Sequence, residues 1–167
     1  MSKTLCNIFW FRRDLRLEDN CPLFYALQSG IPVLPIFIFD ENILSKLDPD
    51  DARVTFIYRQ LEAIQKKLRS VDSSLAIYHG KPLEVWSELL KNYSINEVFC
   101  GEDYEPYAIN RDERVLELLQ KNQIKFHQIK DHVIFATNEI VKDDGSPYTV
   151  YTPVSYTHLT LPTKRIV

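Results

Sequence analysis

The sequence predicts a three-layer α/β fold, in which helices cover both faces of a five-stranded parallel sheet with the strand order 3-2-1-4-5. Apolar segments of strand length alternate with amphipathic segments of helix length between residues 5 and 129, which is the pattern of a doubly wound sheet. The first two apolar segments are hydrophobic on both faces, as the central strands of a parallel sheet are. Right-handed crossovers then fix the hand of the winding.

The chain opens with a strand and a short helix. Residues 5–11 form the first predicted strand, and residues 20–28 form the helix that follows it. Asp19 or Asn20 can accept hydrogen bonds from the first amides of this helix, and Pro22 suits its first turn. The polar residues before the cap therefore form the loop that leaves the first strand.

A second strand and a long helix follow. Residues 33–39 are apolar throughout, although Pro35 lacks an amide donor and is expected near the start of the paired segment or at a bulge. Asp50 or Asp51 can cap the next helix. Apolar residues then recur at spacings of three and four, which is typical of one buried helix face: Val54, Ile57, Leu61, Ile64 and Leu68.

The second half of the chain repeats this alternation. Strands are predicted at residues 75–79, 95–100 and 124–129. Helices are predicted from Pro82 and over residues 108–121. An extended or irregular segment and a turn complete the prediction, at residues 131–140 and 143–147.

Composition limits the class of protein. With 167 residues, 45% hydrophobic and 26% charged, the chain suffices for one globular domain. A net charge of −3 gives no overall basic field for nucleic acid. No signal peptide or membrane-length apolar run is present, so we expect a cytoplasmic monomer with no membrane partner. The cysteines and histidines match no metal-ligand spacing: Cys6, Cys21, Cys100, His79, His127, His132 and His158.

Common catalytic and nucleotide-binding motifs are missing. The sequence has no G-x-G-x-x-G after the first strand, no G-x-x-x-x-G-K-[ST] and no G-x-S-x-G, and it contains four glycines in all. A glycine loop for phosphate and an α/β-hydrolase elbow are therefore excluded. In a Rossmann-like sheet of this order, ligands bind where the strand order reverses. The loops at residues 12–16 and 102–107 should flank that crevice.

Two sets of side chains lie in these loops. Arg12, Arg13, Asp14 and Arg16 follow the first strand, and the planar fork of arginine suits carboxylates and phosphates. We interpret this group as an interface for a second domain or a phosphate-bearing ligand; a surface ion cluster of small energetic effect is the alternative.

Acidic and aromatic residues lie at the same predicted edge. Asp40, Asp103 and Glu105 can accept hydrogen bonds from a flat ligand. A stacking surface is available from four aromatic residues: Trp10, Phe37, Phe39 and Tyr104. The alternative is that these aromatics are core residues and the acids are solvated, and at least one of the two phenylalanines is expected to be core.

Five blocks resemble the DNA photolyase and cryptochrome family in the same order. The opening block is W-F-R-R-D-L-R-L-E-D-N at residues 10–20, and Y-E-P-Y-x-x-x-R-D stands at residues 104–112. A third block, G-S-P-Y-T-V-Y-T-P at residues 145–153, is similar to the segment that leads out of the family's N-terminal domain. Shorter matches occur at residues 53–57 and 80–82.

This resemblance implies a function. Family members repair ultraviolet-induced pyrimidine dimers by electron transfer from reduced FAD in light, or act as blue-light receptors. Their FAD and damaged DNA bind in a C-terminal helical domain, whereas the N-terminal domain holds a light-harvesting antenna and positions it. Residues 1–153 correspond to that antenna domain. Residues 154–167 resemble a translated sequencing adapter, and we expect a non-native tail there.

The resemblance also implies a site. Acidic positions of the family's deazaflavin pocket match Asp40, Asp103 and Glu105. The complete set of residues expected to bind the antenna is Trp10, Arg12, Phe37, Asp40, Asp103 and Glu105. Folate-binding members carry Asn-Glu where this chain has Tyr107-Ala108, which favours a deazaflavin or flavin over a folate.

The chain is accordingly expected to be a fragment of a deoxyribodipyrimidine photo-lyase, a carbon-carbon lyase. It would dock an FAD-binding domain of the same parent chain, would meet damaged DNA only through that domain, and would be inactive alone. A cryptochrome fragment and a free-standing nucleotide-binding module are the alternatives.

Overall fold

The structure is a computed structural model that describes residues 3–135, 139, 141–142, 144–146 and 148. Five parallel strands form one sheet in the order β3-β2-β1-β4-β5, which confirms the predicted topology. The strands are β1 (Leu5–Phe11), β2 (Val33–Asp40), β3 (Ala76–Gly80), β4 (Ser94–Gly101) and β5 (Lys125–Ile129). The chain divides into two compact units, residues 1–132 and 133–167, and all five strands belong to the first.

Helices connect successive strands. They are α1 (Cys21–Gln28), α2 (Glu41–Leu44), α3 (Ala52–Arg69), α4 (Pro82–Asn92) and α5 (Pro106–Lys121). Four of them match the predicted helices, whereas the single turn of α2 was predicted only as a polar end of the second strand. Asp40 makes this turn possible, because its carboxylate accepts a hydrogen bond from the backbone N–H of Asn42 at 3.0 Å.

Two apolar clusters lie on the opposite faces of the sheet. One packs β1, β2 and β4 against α4 and α5, with Trp10, Trp86 and Val115 among its buried members. The other packs the same strands against α1 and α3 and includes Phe9 and Leu61. Helices therefore cover both faces, as the continuous hydrophobicity of the central strands predicts.

The helix caps resolve two alternatives that the sequence left open. The side chain of Asn20 accepts a hydrogen bond from the backbone N–H of Leu23 at 3.0 Å and caps α1. Asp19, the other candidate, adopts a left-handed backbone conformation with φ of 50°. Asp51 caps α3 by accepting from the backbone N–H of Arg53 at 2.9 Å.

The register of the central strands depends on a buried amide. Asn7 is fully buried in β1, and its Oδ1 accepts hydrogen bonds from Asn96 Nδ2 at 3.0 Å and from the Glu97 backbone N–H at 3.1 Å. The register between β1 and β4 shifts at this point. The Asn7 side chain thus accepts a hydrogen bond from a β4 backbone N–H at the point where the regular pairing of β1 and β4 is interrupted. Pairing of β2 with β3 begins at Ile36, one residue after Pro35. The backbone N–H that Pro35 lacks is therefore not needed for that pairing.

The second unit contains the predicted turn. The backbone N–H of Gly145 donates to the carbonyl of Lys142 at 2.8 Å, and Ser146 N–H donates to Asp144 Oδ1 at 2.8 Å. The outer residues of the predicted turn, Asp143 and Pro147, lie outside the described residues, as do most of the third family block and the whole of residues 154–167. Among the helices that the structure describes, none combines the length and hydropathy needed to cross a membrane.

Candidate functional site

A cavity of about 470 Å³ opens at the carboxyl edge of the sheet. Its walls come from the ends of β1 and β2, the loop after β4, the turn of α2 and the first turns of α3 and α5. The carboxyl ends of parallel strands meet at one edge, so residues that are distant in sequence converge there. The cavity therefore lies where the reversal of strand order predicts a ligand site.

All of the residues predicted to bind the antenna line this cavity: Trp10, Arg12, Phe37, Asp40, Asp103 and Glu105. The structure brings them together from four elements, although cofactor binding by each of them stays a prediction. Of the wider aromatic set, Phe39 also lines the cavity. Tyr104 does not, and its ring faces His132 at a centroid distance of 5.8 Å.

Phe37 and Phe39 belong both to the hydrophobic core and to the lining of the cavity. Both rings belong to the cluster beside α3, with centroids 5.0 Å apart and an interplanar angle of 76°. They lie on the same face of the sheet because side chains two residues apart in a strand point the same way. They form the apolar floor of the cavity and part of the core at once.

Asp40 is the most fully bonded acid at the site. The Tyr107 hydroxyl donates to its Oδ2 at 2.6 Å, and both the backbone N–H and the Nδ2 of Asn42 donate to its Oδ1. Burial, followed by this bond to Asp40, raises the pKa of the Tyr107 phenol. Tyr107 therefore remains a neutral hydrogen-bond donor that closes one side of the cavity.

Arg12 is buried in a network below the cavity. Its guanidinium pairs with Asp112 and donates to the carbonyl of Gly101. Asp112 also accepts from Arg111 Nε at 2.9 Å and from Gln128 Nε2 at 2.9 Å. Burial lowers the pKa of Arg12, but nearby charges and its bond to Asp112 outweigh burial and raise that pKa overall. One carboxylate thus holds two arginines against the end of the sheet.

Arg13 has the most exposed side chain of the three arginines in the loop. Its Nε lies 3.4 Å from Asp103 Oδ2, and its Nη2 lies 2.5 Å from Glu105 Oε1. The bond to Glu105 is the main reason that the pKa of Arg13 is raised. The side chain of Arg13 is nevertheless 46% exposed, so it can reach a second molecule at the rim of the cavity.

Asp14 and Arg16 of the predicted interface are bonded to other parts of the same domain. Asp14 is buried and accepts from the backbone N–H of Arg12 at 2.9 Å. Arg16 Nη2 pairs with Asp131 at 2.6 Å and also donates to the carbonyl of Asp19. These bonds shape the loop, and an interface role for its four charged residues stays a prediction.

Sequence reasoning missed several residues of the cavity. Tyr107 and Arg111 stand in the second family block, which was the available signal, but they were not assigned to the site. The turn of α2 and the start of α3 supply an apolar wall that was not predicted: Ile43, Leu44, Leu47, Val54, Phe56 and Ile57. Val54 and Ile57 were predicted as part of a buried helix face; both are half-buried and line the cavity, and Ile57 also packs against the core cluster beside α3.

Comparison with protein families decides the assignment. The model of the DNA photolyase family, described as DNA photolyase, matches residues 7–165. The chain belongs to the DNA photolyase family. The matched range includes most of residues 154–167, for which a non-native tail stays a prediction.

Relatives in this family carry two kinds of name. The chain is 32% identical over 146 residues to a deoxyribodipyrimidine photo-lyase of Synechococcus sp., where the match covers 87% of this chain and 30% of the relative. It is 26% identical to cryptochrome-2 of Gallus gallus, where the match covers 84% of this chain and 24% of the cryptochrome. The chain thus spans about a third or less of the length of these family members.

Solved structures of the family share the fold. A class III photolyase from Agrobacterium tumefaciens superposes with a TM-score of 0.79 at 25% identity, over 92% of this chain and 31% of that one. An archaeal photolyase from Sulfolobus tokodaii, solved with two FAD molecules, superposes with a TM-score of 0.71 at 30% identity. The match covers 83% of this chain and 32% of that one. The α/β fold of this chain is therefore the fold of a part of these photolyases.

Proposed function

We propose that residues 1–153 are the antenna domain of a deoxyribodipyrimidine photo-lyase and bind a light-harvesting chromophore in the cavity at the carboxyl edge of the sheet. The observation that carries the proposal is the convergence of all six predicted residues on one cavity. The parent enzyme would repair pyrimidine dimers in DNA with FAD held by a companion domain.

The cavity fits a flat, ring-shaped ligand. Its volume of about 470 Å³ lies within the usual range for small-molecule sites. Trp10, Phe37 and Phe39 offer aromatic surface for stacking. The carboxylates of Asp40 and Asp103 are buried at its wall and accept hydrogen bonds. These groups would hold and orient the rings, and the bound chromophore would supply the absorption of light.

A flavin or deazaflavin suits the site better than a folate. The family's folate-binding members carry Asn-Glu where this chain has Tyr107 and Ala108. Here the Tyr107 hydroxyl is already bonded to Asp40, so the position offers an aromatic wall in place of two polar groups. The Sulfolobus photolyase, at 30% identity, was solved with two FAD molecules and interpreted as having a novel light-harvesting cofactor, which supports the same ligand class.

Direct binding tests the proposal. The purified chain is titrated with FMN, a deazaflavin, a folate and ATP, and the rise in melting temperature and the quenching of ligand fluorescence are recorded. We expect a shift with FMN or deazaflavin. A shift with ATP alone would overturn the proposal in favour of a nucleotide-binding module.

Matched variants locate the site. Asp40→Asn removes the charge at the cavity wall and should weaken chromophore binding by roughly ten-fold, as expected for the loss of a charge-assisted hydrogen bond. Glu62→Gln removes a similar charge on the exposed face of α3 and should leave the affinity unchanged. Equal affinities for the two variants would exclude the cavity as the site.

The parent activity is tested separately. The chain alone should leave dimer-containing DNA unchanged in light, because the proposal assigns FAD and DNA binding to the companion domain. Repair by the chain alone would contradict that assignment.

A blue-light receptor is the second candidate for the parent, since cryptochromes occur among the relatives at 26% to 29% identity. A protein that joins this domain to its companion domain would distinguish them, because a photolyase repairs dimers in light and a receptor does not.

A further inference from the structure

Two guanidinium groups lie over the indole ring of Trp10. Arg12 Cζ is 5.2 Å from the ring centroid and Arg111 Cζ is 4.9 Å from it. The ring is only 2% exposed, and its side chain forms part of the cavity wall. Trp86 meets it edge-on with centroids 5.4 Å apart. Trp10 is thus an easily oxidised side chain placed beside both the cavity and two cations.

The two guanidinium groups are bonded to the same buried carboxylate. Among the described residues, Asp112 is the carboxylate that pairs with both Arg12 and Arg111. The other groups that the Arg12 guanidinium contacts are uncharged: the carbonyl of Gly101 and the sulfur of Cys100, 3.4 Å from Nη2. The carboxylate of Asp14 accepts from the Arg12 backbone N–H, and Asp103 interacts electrostatically with the Arg12 side chain. Burial raises the pKa of the Cys100 thiol to about 12, so it carries no charge at neutral pH. The two guanidinium groups are the charges that the structure places against the ring itself, so their positive charge acts on the indole at short range.

Positive charge opposes the oxidation of an aromatic ring. Removal of one electron from an indole leaves a cation, and nearby guanidinium groups then repel the ring that they attracted before. Repulsion is strongest at a buried site, where water screens little. We propose that Arg12 and Arg111 protect Trp10 against one-electron oxidation and thereby keep an indole at the cavity wall from quenching an excited chromophore.

The benefit of this protection rests on the proposed function, in which the cavity holds a light-absorbing chromophore. An excited chromophore in the cavity could take one electron from the indole, which would return in the dark and release the absorbed energy as heat. An antenna that lost its excitation in this way would transfer no energy to the FAD of the companion domain. Making Trp10 harder to oxidise lets the cavity use an aromatic wall for stacking without that loss.

The first test needs no ligand. The chain contains two tryptophans, so Trp86→Phe leaves Trp10 as its one indole. Within the described part of the chain, Trp86 Nε1 has no hydrogen-bond partner to lose. In this background, azidyl radicals made by pulse radiolysis take one electron from the protein and become azide. The yield of the indole radical is compared for Arg111, Arg111→Met and Arg111→Lys.

Arg111→Met should raise the yield by about two-fold or more, because one of two cations has been removed from the ring. Arg111→Lys keeps the charge and should stay close to the parent. Asp112 retains Arg12 and Gln128 as partners in both variants, and melting curves verify folding. Arg111→Gln repeats the test with a planar neutral group. Equal yields for the neutral and charged side chains would overturn the proposal.

The second test uses bound FMN. Arg111→Met should shorten the fluorescence lifetime of bound FMN by about two-fold or more, and Trp10→Phe in the same chain should restore it. A shortening that persists without Trp10 would contradict the proposal. Failure of FMN to bind would count against the proposed function, while the radical yields of the ligand-free chain still decide the present inference.

Discussion

At the scale of single residues, Asp112 is the buried carboxylate that joins two arginines of the site. Its side chain is 3% exposed and pairs with the guanidinium groups of Arg12 and Arg111. Asp112→Ala would leave two buried cations without their shared anion, and breaking a buried ion pair costs about 3–5 kcal/mol. Urea unfolding of the variant should show this loss.

Glu113→Ala is the matched control for that prediction. It removes an exposed carboxylate from the next position of α5, and its effect on the free energy of unfolding should stay within about 0.5 kcal/mol. Similar losses for the two variants would mean that the helix, and not the network, responds to the substitution.

Tyr78 gives the stability of the protein a dependence on alkaline pH. Burial, with a smaller effect of Tyr93, raises the pKa of the Tyr78 phenol to about 12. Above pH 10 the unfolded chain releases this proton while the folded chain keeps it, so the free energy of unfolding falls as the pH rises from 10 towards 12. The contribution is fully present below pH 10. Urea unfolding at a series of pH values measures the slope.

Tyr78→Phe should reduce that slope, because the group that titrates differently in the two states has been removed. Tyr58→Phe removes an exposed phenol of α3 and should keep the slope of the parent. An unchanged slope in Tyr78→Phe would assign the alkaline sensitivity to other groups.

At the scale of elements, the cap of α1 also organises the loop that precedes it. Asn20 Oδ1 accepts from the Leu23 N–H, and its Nδ2 donates to the carbonyls of Asp14 and Arg16. Asn20→Ala loses the cap and the donor to the Arg16 carbonyl, while the Asp14 carbonyl keeps the Arg16 N–H as a partner; the combined cost is about 1–3 kcal/mol. Thermal unfolding should show the loss, and Asn92→Ala, at an exposed position of α4, should show none.

Asn20→Asp separates the two roles of this side chain. It keeps an acceptor for the helix cap but brings a second carboxylate to within about the 3.3 Å that now joins Nδ2 to Asp14 Oδ2. We expect a loss of stability at neutral pH in spite of the retained cap. Stability equal to that of the parent would mean that the cap alone matters.

The elements also show what the sequence can predict. Both ends of β1 follow from its apolar run, which gives way at once to Arg12 and Arg13. The turn of α2 was missed because four residues cannot display a period of 3.6. Strands β2 to β5 each differ from the prediction by one residue at one or both ends, where hydrogen bonding and not hydrophobicity sets the boundary.

At the scale of the whole molecule, topology explains why the cavity could be predicted and its bonds could not. Parallel strands place all their carboxyl ends on one edge, so Trp10, Asp40 and Asp103 had to converge once the strand order was known. The bond between Tyr107 and Asp40 depends instead on where the first turn of α5 lies relative to the end of β2. Sequence spacing contains no information on that packing.

Removal of residues 154–167 tests the prediction of a non-native tail. All described strand pairings and both apolar clusters lie between residues 5 and 129. The melting temperature of the shortened chain should stay within about 2 °C of the parent, whereas a loss of 1 kcal/mol would shift it by about 2–8 °C. Affinity for FMN should also be unchanged.

A deeper truncation provides the contrast. A chain that ends at residue 121 lacks β5, so it exposes the edge of β4 and removes Gln128 from Asp112 and Asp131 from Arg16. It should unfold at a clearly lower temperature than the chain that ends at residue 153. If removal of residues 154–167 destabilised the protein as much as removal of β5, the tail would be part of the folded domain and the prediction of a non-native segment would be wrong.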